Sequence, residues 1–348
     1  MMNNSMSGSV RISFGIIALN AEPFMRYLLR ALYPFAHEII VVEGAVISAA
    51  PNATPDGHSL DTTLQTIDDF KAHEDPDKKV ILVTQDGFWN EKDEMSQAYA
   101  MRATGNYLWQ VDSDEFYQPD DLQWIIDKLA QDPSITAVSF PMLTFWASPA
   151  YITDGWYLRR GARVYHRLFK WQPGYTYSTH RPPTVLDEQG NNLRHINWLR
   201  AETLEENNIY LYHYSLLFPH QVQDKSRYYE RRFPDISGDS NWAEQNYMHL
   251  KHPFRVHNVY RFPSWLDYFS GRTPPAIEQM WTDIQAGDVA VDTRQTDDIE
   301  ALLRSRDYRF KRRIVQLLDY ITRPYAYAKR LVLRLGRRAA YAVRKILR

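Results

Sequence analysis

The sequence predicts an α/β fold: a mostly parallel, Rossmann-like sheet flanked by helices, with a mixed C-terminal extension and a basic amphipathic C-terminal helix. Three observations predict it. Short apolar runs alternate with helix-periodic stretches as far as Phe145, at a spacing that suits a parallel sheet with right-handed crossovers. Two of those runs end on acids, Glu43 and Asp112, where the strands of an open sheet leave for the edge that holds ligands. The charge is also split: Arg309 to Arg348 holds thirteen Lys or Arg and one acid, Asp319, although the net charge of the 348 residues is −1.

The elements follow in order. Arg11 to Asn20 reads as a buried first strand, and Glu22-Pro23 opens a helix carrying apolar Phe24, Leu28, Leu29 and Leu32. Glu38 to Glu43 is a second strand. A loop rich in Ala, Pro, Asn and Gly, 44–57, leads to a cap at Ser59 to Thr63 and a helix through Leu64, Ile67 and Phe70. Lys79 to Thr84 is a third strand ending near Asp86-Gly87, and Glu91 to Ala103 is helical. Tyr107 to Val111 has the aromatic and β-branched bias of a strand, and breaks into Asp112-Ser113-Asp114-Glu115. Pro119 to Ala130 is a helix and Ile135 to Phe145 a strand. Tyr151 to Asp187 alternates β-like runs with turns and extends the sheet. Ile209 to Ser215 is a further strand, followed by a helix containing Lys225, Arg227 and Tyr228. From Asp235 to Tyr308 the chain is mixed, with helical pieces near Pro275 to Ile284 and Asp298 to Arg304. The organisation is therefore 1–235 as the main domain, divided near 117, then 236–308 as an extension and 309–348 as a basic tail.

Composition narrows the function classes. The 10 Trp and 23 Tyr fill a core or line a sugar-binding cleft. With no cysteine there is neither a disulfide framework nor a thiolate metal site. The polar N-terminus lacks the basic and apolar regions of a secretory signal, and no apolar run nears the roughly 18 residues that span a bilayer. These features predict a cytoplasmic protein.

In an extended chain Asp112 and Asp114 fall on one side, with Ser113 turned away. Two hard oxygen donors on one face suit Mn2+ or Mg2+, and such an ion suits a diphosphate. A solvated acidic turn is the plain alternative for an isolated Asp-x-Asp.

The wider set of residues resembles the family 2 glycosyltransferases of GT-A fold. The features that carry the resemblance come in order: Ile16 to Asn20 then Glu22, Ile39 to Glu43, Asp86, and Asp112-Ser113-Asp114. Asp56-Gly57-His58-Ser59-Leu60-Asp61 is similar to the family's Asp-Gly-Ser-x-Asp segment, interrupted by His58. The resemblance covers roughly residues 10 to 235. It implies a nucleoside-diphosphate-sugar donor whose nucleoside meets Asn20, Glu22, Glu43 and Asp86. It also implies Asp114 as a direct metal ligand, Asp112 acting through the ribose or a metal-bound water, and His213 completing the coordination. Lys92, Lys225 and Arg227 are the cations expected at the departing phosphates. An inverting transfer needs a base on the acceptor side. Relatives often carry His-Glu where this chain has His180-Arg181, so the candidates are Asp154, His180, Asp187 and Glu188.

Trp146, Tyr151, Trp156, Tyr157 and Trp171 follow the acidic motif, and Trp146, Trp156 and Tyr157 are the expected acceptor wall, with core packing as the competing use. In the tail, Pro324 starts an expected helix in which Ala328, Leu331 or Val332, Leu335, Ala339, Val343 and Ile346 form an apolar stripe among Arg and Lys. Such a helix lies on an anionic membrane surface; nucleic-acid binding lacks any accompanying recognition motif, and docking on the acidic body is the third use. The expected function is metal-dependent, inverting transfer of a sugar to a glycan or lipid-linked acceptor in cell-surface polysaccharide or glycoconjugate synthesis, with the protein peripheral on the cytoplasmic membrane face through its tail. Two alternatives stay open: a metal-dependent nucleotidyltransferase, whose Gly-rich basic loop is absent after the first strand, and a non-catalytic glycan-binding protein.

Overall fold

A computed structural model describes residues 9–232, 241–259 and 261–325. Strands β1 (Ile12–Ala18), β2 (Ala36–Glu43), β3 (Val80–Val83) and β4 (Tyr107–Asp112) pair in the order β3-β2-β1-β4, all parallel. Helices α1 (Phe24–Leu32), α2 (Thr63–His73) and α3 (Lys92–Ala100) make the crossovers. β1 is almost wholly buried, the pattern of a parallel strand covered on both faces. α1 turns Phe24, Leu28, Leu29 and Leu32 into the core at helical spacing. α3 closes tightly onto β1, because a side chain at Gly15 would run into the Tyr99 ring.

Beyond β4 the sheet becomes mixed. β5 (Glu115–Phe116), α4 (Pro119–Gln131), β6 (Ala137–Trp146), β7 (Ser148–Gly155) and β8 (Val164–Lys170) follow in sequence. β8 inserts antiparallel between β4 and β6, and β6 leads on to β7. β9 (Thr176–His180) and β10 (Pro183–Leu186) form a separate hairpin. β11 (Trp198–Leu199) joins β6, α5 (Ala201–Glu206) follows, and β12 (Leu211–Leu216) runs parallel to β6 and antiparallel to β5. α6 (Pro219–Arg232) comes next.

The extension is part of the same packing. Its strand β13 (Ser264–Tyr268) adds antiparallel to β7, and α7 (Pro275–Ala286) packs beside α1, where the Tyr27 hydroxyl donates to Asp283 at 2.5 Å. α8 (Asp297–Arg304) precedes a last described helix, α9, over 306–325. Trp146, Trp242, Tyr247, Trp265 and Tyr308 share one apolar cluster that ties this region to the sheet. No described helix is long and apolar enough to cross a membrane.

Two sequence expectations change here. The helix expected to start at Pro324 is already running from 306, so Pro324 lies in its final described turn. Ala328, Leu331, Val332, Leu335, Ala339, Val343 and Ile346, and the first eight residues, lie outside the described residues. The register matters most for function: Ile17 pairs with Asp112 and Ala18 with Glu43, so β1, β2 and β4 finish along one edge. That edge is where an open sheet holds its ligand.

Candidate active site

The acidic turn is built around one buried arginine. Arg167, near the middle of β8, donates from Nη2 to Asp112 Oδ2 at 2.9 Å and from Nε to Glu115 Oε2 at 2.9 Å, with a second, shorter contact from Nη2 to Glu115. The Asp112 amide donates to Glu115 Oε2 at 3.1 Å, closing the turn. The Arg167 guanidinium lies 4.9 Å from the Tyr165 ring. Burial works against the charge of Asp112, but Arg167, His180, Arg181 and Lys92 together outweigh it and hold the carboxyl well below the usual range. Burial pushes the neighbouring Glu115 carboxyl up, with Arg167 opposing.

Asp114 is served by a different set of elements. Its carbonyl accepts the Tyr214 amide at 2.8 Å, and the β5–β12 pairing sets His213 opposite Glu115. His213 Nε2 thereby lies 3.4 Å from Asp114 Oδ1. From the first turns of α6, Gln221 Nε2 donates to Asp114 Oδ2 at 3.1 Å and the Lys225 ammonium makes a short ion pair to the same oxygen. Burial again opposes ionisation, and Lys225 and His213 overcome it, so the Asp114 carboxyl is held well below its usual range.

Both aspartates line a cleft of about 490 Å3. Of the residues expected from sequence, Asn20, Lys92, Asp112, Asp114, Tyr157, His213 and Lys225 line it. Asn20, however, spends its side chain on the Asn52 carbonyl (2.8 Å) and the Leu60 amide (2.7 Å), which fixes the neighbouring loop. Tyr157 stands across the cleft, its ring stacked near Phe262 and tilted toward His257.

The other expected residues do not line the cleft, and each has a visible physical reason. Glu43 is fully buried and accepts His58 Nδ1 at 2.8 Å and the Ser59 amide and hydroxyl at 2.8 and 2.7 Å. It anchors the Asp56 to Asp61 segment instead of presenting itself to a base. Glu22 turns toward α2, where burial raises its carboxyl, while its amide donates to Asp61 at 3.0 Å. Asp86 stands exposed beyond β3. Arg227 points outward and pairs with Asp224 at 3.6 Å.

The base candidates fare similarly. Asp154 is held by Arg159 at 2.7 Å on strand β7, between β6 and β13. Asp187 caps its own turn, accepting the Gln189 and Asn191 amides, and Glu188 is exposed beside it. His180 is buried under the acidic turn, its Nδ1 sharing a hydrogen bond of 3.0 Å with Ser96 Oγ and its basicity pushed down to about 3 by burial. Trp146 is core, donating to the Val256 carbonyl at 3.0 Å, and Trp156 donates to the Val315 carbonyl at 3.1 Å.

The cleft also contains groups the sequence did not single out. Arg181 lines it and reaches to 3.9 Å from Asp112; Gln221 and the buried His257 line it too. Arg167 carried a faint signal, the one arginine inside the strand run Val164 to Lys170. For Gln221 and His257 no local signal exists.

Asp114 Oδ1 and His213 Nε2 at 3.4 Å are slightly wider apart than the roughly 3 Å between neighbouring oxygens of an octahedral Mg2+ with bonds of about 2.1 Å. Asp112 does not join them, since Oδ2 belongs to Arg167, and among the described residues no three acidic or histidine side chains converge. The donors present therefore fit an ion taken by one carboxylate and one imidazole, Asp114 and His213, with substrate phosphates supplying the rest.

No known protein family's profile matches this sequence, and no curated protein matches it. Among solved structures, it is similar to a 1–349 fragment of S. aureus TarS in complex with UDP-GlcNAc, at 16% identity over 39% of this chain and 35% of that one, with TM-score 0.31. Against the longer S. aureus TarS structure the identity is 12% over 70% of this chain and 43% of that one, with TM-score 0.37. Against glucosyl-3-phosphoglycerate synthase from Mycobacterium tuberculosis, with Mn2+, UDP and glucosyl-3-phosphoglycerate, it is 18% over 39% and 44%, with TM-score 0.27. The chain thus spans less than half the length of each of these structures. At such TM-scores the fold rests on the strand order itself.

Proposed function

We propose that this protein is a glycosyltransferase that takes a sugar from a nucleoside-diphosphate donor, with a divalent cation held by Asp114 and His213. One observation carries this reading: Asp114 and His213 meet in a cleft that also carries Lys92, Arg181 and Lys225. A bound divalent cation would supply charge neutralisation for the departing diphosphate. The chain's own groups have separate tasks. Lys92, Arg181 and Lys225 bind phosphate oxygens as hydrogen-bonding cations. Arg167 holds Asp112 ionised and oriented toward the ribose side. Tyr157 and Tyr165 offer ring faces to the acceptor sugar.

The acceptor in this reading is a glycan or a lipid-linked sugar used in cell-surface polysaccharide synthesis at the cytoplasmic membrane face. Inversion would need a base at the cleft, and none of Asp154, His180, Asp187 and Glu188 lines it, so the anomeric signal of the product by NMR decides between inversion and retention. A nucleotidyltransferase is disfavoured by the turn after β1, where Asn20 is committed to Asn52 and Leu60 and no glycine-rich phosphate cradle exists.

The test of the whole reading is a thermal-shift screen of UDP, GDP, CDP and dTDP with and without Mn2+. A nucleotide at about a hundred times its dissociation constant adds about 2.7 kcal/mol, enough for a clear rise in Tm. At least one nucleotide is expected to stabilise the protein only with the metal. A screen in which none does so rejects the reading.

Lys225 yields a narrower expectation. Its ammonium occupies Asp114 Oδ2, so it competes with any cation approaching that carboxylate. Lys225→Ala is expected to tighten binding of Mn2+ alone by about tenfold, equivalent to about 1.4 kcal/mol, as read by the EPR signal of free Mn2+. Unchanged or weaker Mn2+ binding in that variant would show that the ammonium is not a competitor.

A further inference from the structure

Twelve large apolar side chains stand exposed among the described residues, and seven of them lie in α9: Phe310, Ile314, Leu317, Leu318, Tyr320, Ile321 and Tyr325. Their arrangement is regular. Tyr308, Arg312, Val315, Asp319 and Thr322 face the body at spacings of three and four. Tyr308 exchanges hydrogen bonds with Leu266, Arg312 pairs with Asp267 at 2.6 Å, and the fully buried Asp319 pairs with Arg160 at 3.1 Å. Phe310, Ile314, Leu317 and Ile321 repeat at the same spacing but offset by two residues, which on a helix of 3.6 residues per turn is the opposite face. Leu317 is 58% exposed and Ile321 62%. A helix fixed firmly along one side therefore displays an apolar stripe along the other.

We propose that this outward face of α9 lies on an anionic lipid surface. An interfacial helix needs an apolar stripe bordered by Lys and Arg, with acids kept away. Arg306, Arg309 and Arg313 stand exposed along one border of the stripe; on the other, Lys311 is paired with the exposed Asp307 at 2.7 Å, so the net positive charge lies on the arginine side. The only acid after Asp307 is Asp319, which is buried against Arg160 and Arg323. The sequence continues from Tyr325 with eight Lys or Arg and no acid to Arg348. That charge adds to the attraction for anionic headgroups within a Debye length of the surface.

Two other occupants fit the charge less well. A second copy meeting the same face about a two-fold axis would bring one basic border against another. The chain's own 326–348 segment folding back would set eight more cations against Arg306, Arg309 and Arg313. The contact surface thus begins upstream of the segment that the sequence pointed to, on a helix whose position is set by Asp319 and Tyr308.

The experiment is co-sedimentation of the full chain with phosphatidylcholine vesicles, with and without phosphatidylglycerol. Three proteins are compared: the natural chain, Leu317→Asp with Ile321→Asp, and Arg306→Glu with Arg313→Glu. The natural chain is expected to bind only the phosphatidylglycerol vesicles, and each double variant to bind them at least about tenfold more weakly, with thermal melting unchanged. The substituted positions are exposed, and the arginine pair leaves the stripe intact should the aspartates disturb the helix. Vesicle binding equal to the natural chain in both variants would overturn the proposal by assigning all contact to 326–348. A natural chain that is dimeric by light scattering, becomes monomeric in Leu317→Asp with Ile321→Asp, and ignores vesicles would overturn it in favour of a second copy.

Discussion

Asp114→Ala is expected to abolish metal-dependent nucleotide binding, lowering affinity in the presence of Mn2+ by at least about a hundredfold, or about 2.7 kcal/mol. The reason is local and specific. Asp114 is the one carboxylate that meets His213, Gln221 and Lys225 together, and its removal leaves the imidazole as the last side-chain donor for the ion. The fold should survive, because the link between this turn and β12 runs through the Asp114 carbonyl and the Tyr214 amide, which alanine keeps. Isothermal titration with the nucleotide chosen by the thermal-shift screen, with Mn2+ and with EDTA, separates the effects. The natural protein should lose affinity in EDTA, and the variant should bind equally weakly in both. If Asp114→Ala keeps its Mn2+-dependent affinity, the ion sits elsewhere and the assignment of this carboxylate fails.

Arg167→Met should cause the largest loss of stability, about 3 to 5 kcal/mol, the usual cost of taking one partner from a buried ion pair. Arg167 is 2% exposed and is the main cation of the fully buried Glu115 and the partly buried Asp112. Methionine fills much of the volume and leaves both acids unpaired in a poorly solvated turn. The pH dependence has a definite sign. In the natural protein the Asp112 carboxyl is held below its unfolded value, so its stabilisation is complete above about pH 4 and is lost as pH falls further. Without the guanidinium, burial dominates at both carboxyls and lifts their folded values, so the variant recovers stability as they take up protons. Denaturant titrations at about pH 7 and about pH 5 should show the gap between the two proteins narrowing on acidification. A gap that is small at neutral pH, or that widens in acid, would mean that Arg167 does not carry this turn.

These two expectations draw on different kinds of legibility. Asp114 could be found from the chain because the features that mark it are adjacent: an apolar strand, its abrupt end, and acids at alternate positions. Arg167 left a fainter trace, one arginine in a mixed strand, whose partners lie more than fifty positions earlier. Glu43 depends on distant residues in the same way. Ending the second strand on an acid gave the right edge, but whether that side chain faces a ligand or turns inward depends on His58 and Ser59, delivered by the loop that follows. Trp146 and Tyr157 were indistinguishable as aromatics near the motif. The pairing of β6, β7 and β12 buries the first against the extension, while the second reaches the cleft. Asp154, Asp187 and Glu188 looked alike as acids, and only their immediate surroundings separate them from the cleft.

By itself the sequence determined the alternation of strands and helices, the parallel first half and the edge at which Asp112 and Asp114 emerge. Those depend on the periods of two and 3.6 residues and on how near neighbours fill a strand or a helix face. Tertiary structure alone decided which charges meet: His213, Gln221 and Lys225 at Asp114, Arg167 at Asp112, and the inward turn of Asp319 that leaves the apolar side of α9 facing out. A buried charge survives only where a partner is delivered to it, and the partners here come from strands and helices far apart in the chain, joined by sheet register and helix packing.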